Sequence, residues 1–160
     1  MQVDKLSLRL KFIKKRRKLY STKNFFLFDK IFFLIKKNFP KKKPSIAGYY
    51  PSNFEVNILD FLFQANKKNF KVGLPVIKKD YKIDFKYWIP NEPLYVNRYG
   101  ILEPKKQNIT FKPDIILVPL VAFDRSLNRI GYGKGYYDRA LKQLSSNKKI
   151  LTIGMAFSFQ

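Results

Sequence analysis

Three glycines separated by single residues occur in the segment Arg129-Ile-Gly-Tyr-Gly-Lys-Gly135, between an apolar run and a helix-like stretch. Glycine lets the backbone approach a ligand closely and adopt positive φ. The first turn of a following helix presents N–H groups that lack intrahelical partners, and Arg129 and Lys134 add positive charge. The segment therefore predicts an anion cradle, most naturally one for phosphate groups.

The spacing of these glycines matches neither common phosphate-binding motif. No G-x-x-x-x-G-K-[ST] occurs, and the third glycine comes one residue too early for G-x-G-x-x-G. By spacing alone, a flexible connection between a strand and a helix remains an equally good interpretation.

The composition narrows the chemistry that such a cradle could support. The 160 residues include no cysteine and no histidine. Thiolate nucleophiles, zinc–sulfur sites and histidine bases are therefore excluded. The remaining groups are carboxylates, Lys, Arg, Tyr and backbone amides. This set suits phosphoryl transfer, where positioning and charge neutralisation supply most of the catalysis.

The net charge of +22 allows two interpretations. The excess is strongest up to Lys43, with 15 basic and 2 acidic residues, which is typical of a nucleic-acid-binding arm. The other interpretation is compositional drift. Lys, Asn, Ile, Phe and Tyr all have A/T-rich codons, and all are abundant in this sequence. Nucleic-acid platforms interleave exposed aromatics with basic residues, whereas most aromatics here fall at core-type positions. We favour drift and expect no specific nucleic-acid partner.

No segment is long and apolar enough to predict a membrane span. The most apolar stretch, Phe25–Ile35, is interrupted by Asp29 and Lys30 and falls short of about 20 apolar residues. The first residues show no secretory cleavage site. We therefore expect a cytoplasmic protein without membrane contact, and we expect it to be a monomer.

Hydrophobic periodicity predicts an alternation of helices and strands. A basic helix over 4–20 has Asp4 as its N-cap and Leu6, Leu10 and Ile13 on one side. A second helix follows, capped by Ser21 or Thr22, with Phe25, Phe28, Ile31, Phe32 and Ile35 at helical spacing. Further helices are predicted over 56–66 and 136–144, and strands over 45–50, 70–77, 83–89, 115–120 and 149–157. This order is typical of a single α/β domain over 1–160, a three-layer α/β/α sandwich with a largely parallel central sheet.

The glycine-rich segment belongs to a longer string that is much more specific. Residues 113–124 end in Val-Pro-Leu-Val-Ala-Phe-Asp, and residues 128–139 read Asn-Arg-Ile-Gly-Tyr-Gly-Lys-Gly-Tyr-Tyr-Asp-Arg. This string resembles the 5-formyltetrahydrofolate cyclo-ligase family, also called methenyltetrahydrofolate synthetase. The similarity spans almost all the chain through further matches, namely Lys5-x-x-x-Arg9, Ile46-Ala-Gly-Tyr-Tyr-Pro51, Glu55-Val56, Trp88-x-Pro90, Leu94 and Gly100-Ile-Leu-Glu-Pro104.

The resemblance implies an enzyme that uses ATP and Mg²⁺. Such an enzyme closes 5-formyltetrahydrofolate to 5,10-methenyltetrahydrofolate and releases ADP and phosphate. By position, ATP would be held by Lys5, Arg9, Arg129, Ile130, Gly131, Tyr132, Gly133, Lys134, Gly135, Tyr136 and Tyr137. The reduced folate would contact Tyr50, Glu55, Tyr132, Gly133, Lys134, Gly135 and Tyr136. Asp138 would bind the metal, and no residue is assigned to proton transfer.

Each assignment has a structural alternative. Asp138 could cap a helix or pair with Arg139. Glu55 could be a first-turn charge that complements a helix dipole. Lys5 and Arg9 could form a solvated basic face of the first helix. At the level of the whole protein, the alternatives are a basic nucleic-acid-binding module and a family member that keeps the fold without the activity.

The resemblance also has a gap at the end of the sequence. The family continues past the strand that matches 149–157 into a segment with a second metal-binding carboxylate near a His-Asp element. The present sequence ends at Gln160 and has no histidine. We therefore expect the family's C-terminal segment to be missing from this domain and the metal to be less firmly held.

Overall fold

The computed structural model describes residues 4–21, 28–146 and 148–160. Its helices are α1 (Lys5–Leu19), α2 (Asp29–Asn38), α3 (Leu59–Lys67) and α4 (Tyr136–Ser145). Its strands are β1 (Ile46–Ala47), β2 (Val72–Ile77), β3 (Ile83–Tyr87), β4 (Tyr95–Val96), β5 (Leu102–Glu103), β6 (Thr110–Phe111), β7 (Ile115–Pro119), β8 (Ala122–Phe123), β9 (Arg129–Ile130) and β10 (Leu151–Met155).

Six of these strands form one mixed sheet in the order β10-β7-β1-β2-β3-β6. The first four run parallel to one another; at one edge β3 pairs antiparallel with β2, and β6 pairs antiparallel with β3. Ile46 of β1 is paired with Val72 on one side and with Ile115 on the other. The predicted strand at 115–120 is therefore internal to a largely parallel sheet, as expected.

The side chains of β7 alternate between two cores. Ile115 and Leu117 pack on the face that α2 and α3 cover, whereas Ile116 and Val118 pack on the face that carries Ala140 of α4. All four are fully buried. Because a parallel strand covered on both faces needs apolar residues at every position, the continuous apolar run is explained. The predicted three-layer α/β/α architecture is confirmed.

The first helix is present, but its inward face differs from the prediction. Asp4 caps it, since its Oδ1 accepts a hydrogen bond from the Leu6 amide at 2.9 Å. Leu6 and Leu10 are 59% and 60% exposed, so the expected apolar side was wrong. Arg16 is buried instead. The reason is that this face of α1 packs on a polar loop, where guanidinium groups find hydrogen-bond acceptors.

Several other elements are shorter than expected. The second helix begins at Asp29, and the predicted positions Thr22 and Phe25 lie outside the described residues. The third helix begins at Leu59 rather than at residue 56, because the Asn57 side-chain oxygen accepts a hydrogen bond from the Leu59 amide at 3.0 Å. The strand expected over 45–50 is only Ile46–Ala47. The short strands β4, β5, β6, β8 and β9 had no periodicity long enough to predict them.

Within the described ranges, no helix is both long and apolar enough to cross a membrane. Cytoplasmic location and a monomeric state stay predictions.

Asp114 joins the beginnings of three strands. Its carboxylate accepts hydrogen bonds from the Ser45 amide at 2.8 Å and the Ser45 hydroxyl at 3.0 Å, just before β1. It also pairs with Lys42 at 3.0 Å and with Lys148 at 3.2 Å, ahead of β10. Burial alone would raise the pKa of Asp114, but these hydrogen bonds outweigh it and hold the pKa well below its ordinary value of 3.8.

We expect Asp114→Asn to lower the free energy of unfolding by about 1.5–3 kcal/mol at pH 7, since charge-assisted bonds are lost. A carboxylate with a depressed pKa contributes stability that is present above 3.8 and is lost as the pH falls through its folded-state pKa. The difference in free energy of unfolding between the variant and the parent chain should therefore be smaller at pH 3 than at pH 7. Urea unfolding of both proteins at pH 3 and at pH 7 measures this difference. Asp60→Asn, at an exposed carboxylate in α3, is the control. An equal difference at both pH values would contradict the assignment.

Candidate active site

A cavity of about 660 Å³ opens at the carboxyl ends of β1, β2 and β7. Pro119 at the end of β7 and Ile77 at the end of β2 form part of its floor. Ligand pockets typically measure about 300–1,000 Å³, and open α/β sheets bind ligands at this edge. The cavity is therefore of a suitable size and in a suitable place for a substrate.

The residues selected from the sequence all line this one cavity. They come from α1, from the segment after β1 and from the loop that leads into α4. They are Lys5, Arg9, Tyr50, Glu55, Arg129, Ile130, Gly131, Tyr132, Gly133, Lys134, Gly135, Tyr136, Tyr137 and Asp138. The structure thus brings together segments that lie far apart in the sequence. Which ligand each residue binds stays a prediction.

The glycine-rich loop is held by α1. Arg9 donates its Nε–H to the Gly131 carbonyl at 2.7 Å. Gly133 has φ +98°, and a Cβ there would lie 3.3 Å from the Arg9 guanidinium carbon. Gly135, at φ +66°, is the N-cap of α4 and leaves the helix without a side-chain cap. Positive φ and close approach of Arg9 therefore both favour glycine here, and the first-turn amides of α4 remain available to a ligand.

Asp138 lies in the first turn of α4 and pairs with Arg129 rather than with Arg139. Its carboxylate is 72% exposed. Arg139 instead donates to the carbonyls of Tyr81, at 3.1 Å, and of Lys134. The alternative pairing with Arg139 was therefore wrong, and the ion pair of Asp138 joins α4 to β9 instead.

Asp138, in the first turn of α4, is the carboxylate that could hold a Mg²⁺ ion beside the glycine-rich loop. Over 4–21, 28–146 and 148–160, no group of three or more Asp, Glu, His or Cys side chains is placed to hold a metal ion. Mg²⁺ is commonly bound by one or two carboxylates that are supplemented by phosphate oxygens and water. Asp138 fits such a site only if it leaves Arg129 and if a ligand's phosphates complete the coordination.

Aromatic and basic side chains form the outer rim of the cavity. Lys134 places its Nζ 3.6 Å from the centre of the Tyr99 ring. The hydroxyls of Tyr99 and Tyr136 are 3.0 Å apart, and Arg98 donates to the Tyr136 hydroxyl at 3.1 Å. Sequence reasoning missed Arg98 and Tyr99, which lie between β4 and β5. Periodicity gave no signal for them, because the strands of that hairpin have two residues each.

Glu55 lies at the inner end of the cavity and is only 6% exposed. It precedes α3, so it is not a first-turn helix charge, and that alternative was wrong. Its Oε2 accepts the Ser52 amide at 2.8 Å. Burial raises the pKa of Glu55 above 4.5, while the Ser52 amide, the Arg16 charge and a hydrogen bond from Tyr132 oppose that rise.

Two other tyrosines line the cavity near Glu55. The Tyr49 hydroxyl donates to the Val56 carbonyl at 2.8 Å. The Tyr137 hydroxyl is buried and has no hydrogen-bond partner among the described residues. Burial first, and then the charge of Glu55, raises the pKa of both phenols. Both therefore stay protonated at neutral pH and can act as donors.

Arg16 lies behind the inner end of the cavity, and the sequence analysis did not select it as a site residue. It is 1% exposed. It donates to the Leu120 carbonyl at 3.1 Å and to the Tyr132 hydroxyl, and its guanidinium carbon lies 5.4 Å from the centre of the Tyr132 ring. Its seven-residue spacing from Arg9 was the available signal, because positions i and i+7 share one face of a helix.

Two residues from the matching segments do not belong to the site. Trp88 lies in the core beside Phe63, and its indole N–H donates to the Glu92 carbonyl at 3.3 Å. Asp124 shapes the turn between β8 and β9, where it accepts both the amide and the side-chain N–H of Asn128 at 2.9 Å.

Known proteins with similar sequences match most or all of the chain. The 5-formyltetrahydrofolate cyclo-ligase family matches residues 1–160. A Haemophilus influenzae protein with the name 5-formyltetrahydrofolate cyclo-ligase is 34% identical over 75% of this chain and 67% of its own length. One from Mycoplasma pneumoniae with the same name is 34% identical over 99% of this chain and 88% of its own.

Solved structures agree in fold. The NMR structure of Aquifex aeolicus 5,10-methenyltetrahydrofolate synthetase superposes with a TM-score of 0.75 at 34% identity, over 98% of this chain and 79% of that one. The Mycoplasma pneumoniae synthetase gives a TM-score of 0.70 at 31% identity, over 98% and 87%. With the glycine-rich loop and the cavity in place, these matches show that the chain belongs to the 5-formyltetrahydrofolate cyclo-ligase family.

Proposed function

We propose that the protein uses ATP to convert 5-formyltetrahydrofolate to 5,10-methenyltetrahydrofolate, with release of ADP and phosphate. The observation that carries this proposal is the convergence of three distant segments on one cavity in a chain of this family. The cavity has a cationic, glycine-rich side and a more buried side with Glu55 and tyrosines. These two sides suit a nucleotide phosphate and a flat heterocycle.

On the phosphate side, the protein supplies charge and backbone donors. Lys5, Arg9 and Arg129 surround the loop, and the first turn of α4 follows it. Preorganised donors of this kind stabilise negative charge on a transferring phosphoryl group. Lys134 would leave the Tyr99 ring to reach the phosphates.

The proposed reaction proceeds in two steps. The formyl oxygen attacks the γ-phosphorus of ATP, and the bond to the ADP oxygen breaks. N10 of the folate then bonds to the formyl carbon, the carbon–oxygen bond breaks with loss of phosphate, and the N10 proton passes to solvent. Because both steps need atoms held close and in line, positioning is the main task of the residues.

On the folate side, Glu55 accepts N–H groups from the edge of the pterin, and Tyr50, Tyr132 and Tyr136 cover its face. A carboxylate that is 6% exposed makes a strong hydrogen bond because little water competes for it. Asp138 would hold Mg²⁺ together with the nucleotide. The metal supplies charge neutralisation on the phosphates when bound.

The direct test is an assay with 5-formyltetrahydrofolate, ATP and Mg²⁺, followed by the near-ultraviolet absorbance of the methenyl product. We expect the absorbance to rise only when all three are present, with one ADP formed per product. Absence of product with the folded protein would overturn the proposal.

The cationic side can be tested with Lys134→Ala. Loss of a charge-assisted contact of about 1.5–3 kcal/mol should weaken ATP binding by about tenfold to a hundredfold, with a smaller effect on the folate. Calorimetric titration with each ligand separately measures both. Lys142→Ala removes an equal charge from the exposed side of α4 and should change neither affinity. Equal losses for both ligands would count against the assignment.

The metal assignment can be tested with Asp138→Asn. An amide is a weaker ligand for Mg²⁺ than a carboxylate, so the Mg²⁺ concentration for half-maximal rate should rise about tenfold, while the KM for folate changes little. Asp60→Asn makes the same change in the first turn of α3 and serves as the control. An unchanged Mg²⁺ requirement would show that Asp138 has another role.

A further inference from the structure

Arg16 is a buried charged residue that the proposed reaction does not itself use. It does not line the cavity, yet it is 1% exposed, and a guanidinium stays protonated at every physiological pH. Burying a charge is costly unless hydrogen bonds and an opposite charge compensate it. A residue with this cost and no direct access to the substrate suggests a role in placing its neighbours.

One hydrogen-bond partner of Arg16, Tyr132, lines the cavity, and the other is the Leu120 carbonyl just after β7. One terminal nitrogen donates to the Leu120 carbonyl at 3.1 Å, and the other donates to the Tyr132 hydroxyl. Tyr132 and Glu55 both line the cavity, and the interaction of the Tyr132 hydroxyl with the Glu55 carboxylate lowers the pKa of Glu55. Arg16 therefore holds, by a hydrogen bond, the Tyr132 side chain of the glycine-rich loop, which in turn interacts with Glu55 in the segment after β1.

We propose that Arg16 is a positioning residue for the folate side of the cavity, which holds Tyr132 and, through it, the Glu55 carboxylate in place to receive the substrate. This inference rests on the proposed function. Arg9 fixes the backbone of the same loop at Gly131, whereas Arg16 fixes the side chain of the next residue, Tyr132. Arg9 and Arg16 thus act on different sides of the cavity.

The charge of Arg16 also bears on the state of Glu55. The groups that face Glu55 are Arg16 from α1, Tyr49 after β1, Tyr132 from the loop and Tyr137 from α4. Only Arg16 among them is a cation. Burial raises the pKa of Glu55, and Arg16 opposes that rise. Without Arg16, the carboxylate would ionise at higher pH.

The test compares Arg16→Met, Arg16→Lys and Tyr132→Phe with the parent chain. Calorimetric titration with 5-formyltetrahydrofolate alone, without ATP, should show binding weakened about tenfold or more in Arg16→Met and Tyr132→Phe. ATP binding should change by less than about threefold. Because the two residues share one hydrogen bond, the double variant should lose less than the sum of the single losses. Arg16→Lys should recover part of the affinity.

A second readout is the pH profile of kcat/KM for the folate. In Arg16→Met, the acid limb should move to higher pH, because the cation that favours ionised Glu55 is gone. The titrations of the substrate are the same for both proteins and cancel. A purely structural role would lower activity without moving this limb.

Stability does not obstruct the experiment. The Leu120 carbonyl also accepts the Gln160 side chain at 3.0 Å, so loss of Arg16 leaves it with a donor. If Arg16→Met still fails to fold, Arg16→Lys, which keeps the cation but not the planar pair of donors, is compared with Tyr132→Phe, and both should weaken folate binding more than ATP binding. Arg17→Met, at an exposed position of α1, is the matched control and should behave like the parent chain.

The outcomes separate the two claims. A parent chain that forms no methenyl product overturns the proposed function. If the parent chain is active, and the folate affinities of Arg16→Met and Tyr132→Phe are both within twofold of the parent's, the proposed role of Arg16 is overturned. Equal losses for folate and ATP would also overturn it, since they would indicate general damage to the loop.

Discussion

The hydrogen bond from Arg9 to the Gly131 carbonyl joins residues 122 positions apart in the sequence. A loop with glycine at every second position has few side chains to pack and high conformational freedom of its own. Its position must therefore be set from outside, and α1 does this with Arg9 and Arg16. The first helix also contributes Lys5 and Arg9 to the cavity wall, so its packing on the loop helps to shape the site.

The sheet fixes the other side of the cavity. Asp114 ties the start of β7 to Ser45 ahead of β1 and to Lys148 ahead of β10. With the parallel strands aligned at their beginnings, their carboxyl ends meet at one edge. The chain leaves β7 at Pro119 there and reaches the glycine-rich loop through the β8–β9 hairpin. Strand register thus determines where the loop stands relative to Glu55.

The basic residues of this protein fall into two groups, a large exposed group and a few that make specific contacts. Most of the 33 basic residues are exposed, and they contribute chiefly a positive field that favours anionic ligands. A few cations make specific contacts at the cavity. Arg129 neutralises Asp138, Lys134 lies on Tyr99, and Arg16 offsets the burial of Glu55. The number of basic residues therefore says little about function, whereas their burial and partners say much.

By itself, the sequence determined the α/β layers, the internal strand at 115–120 and the residues that meet at the cavity, because periodicity and a long specific motif are local properties. It did not determine the inward face of α1. Arg16 looks like one more basic residue on a solvated helix until Tyr132, 116 positions later, is beside it. Likewise, Tyr99 joins the rim only through the turn between β4 and β5. Such roles depend on contacts between distant segments, and only the tertiary structure decides them.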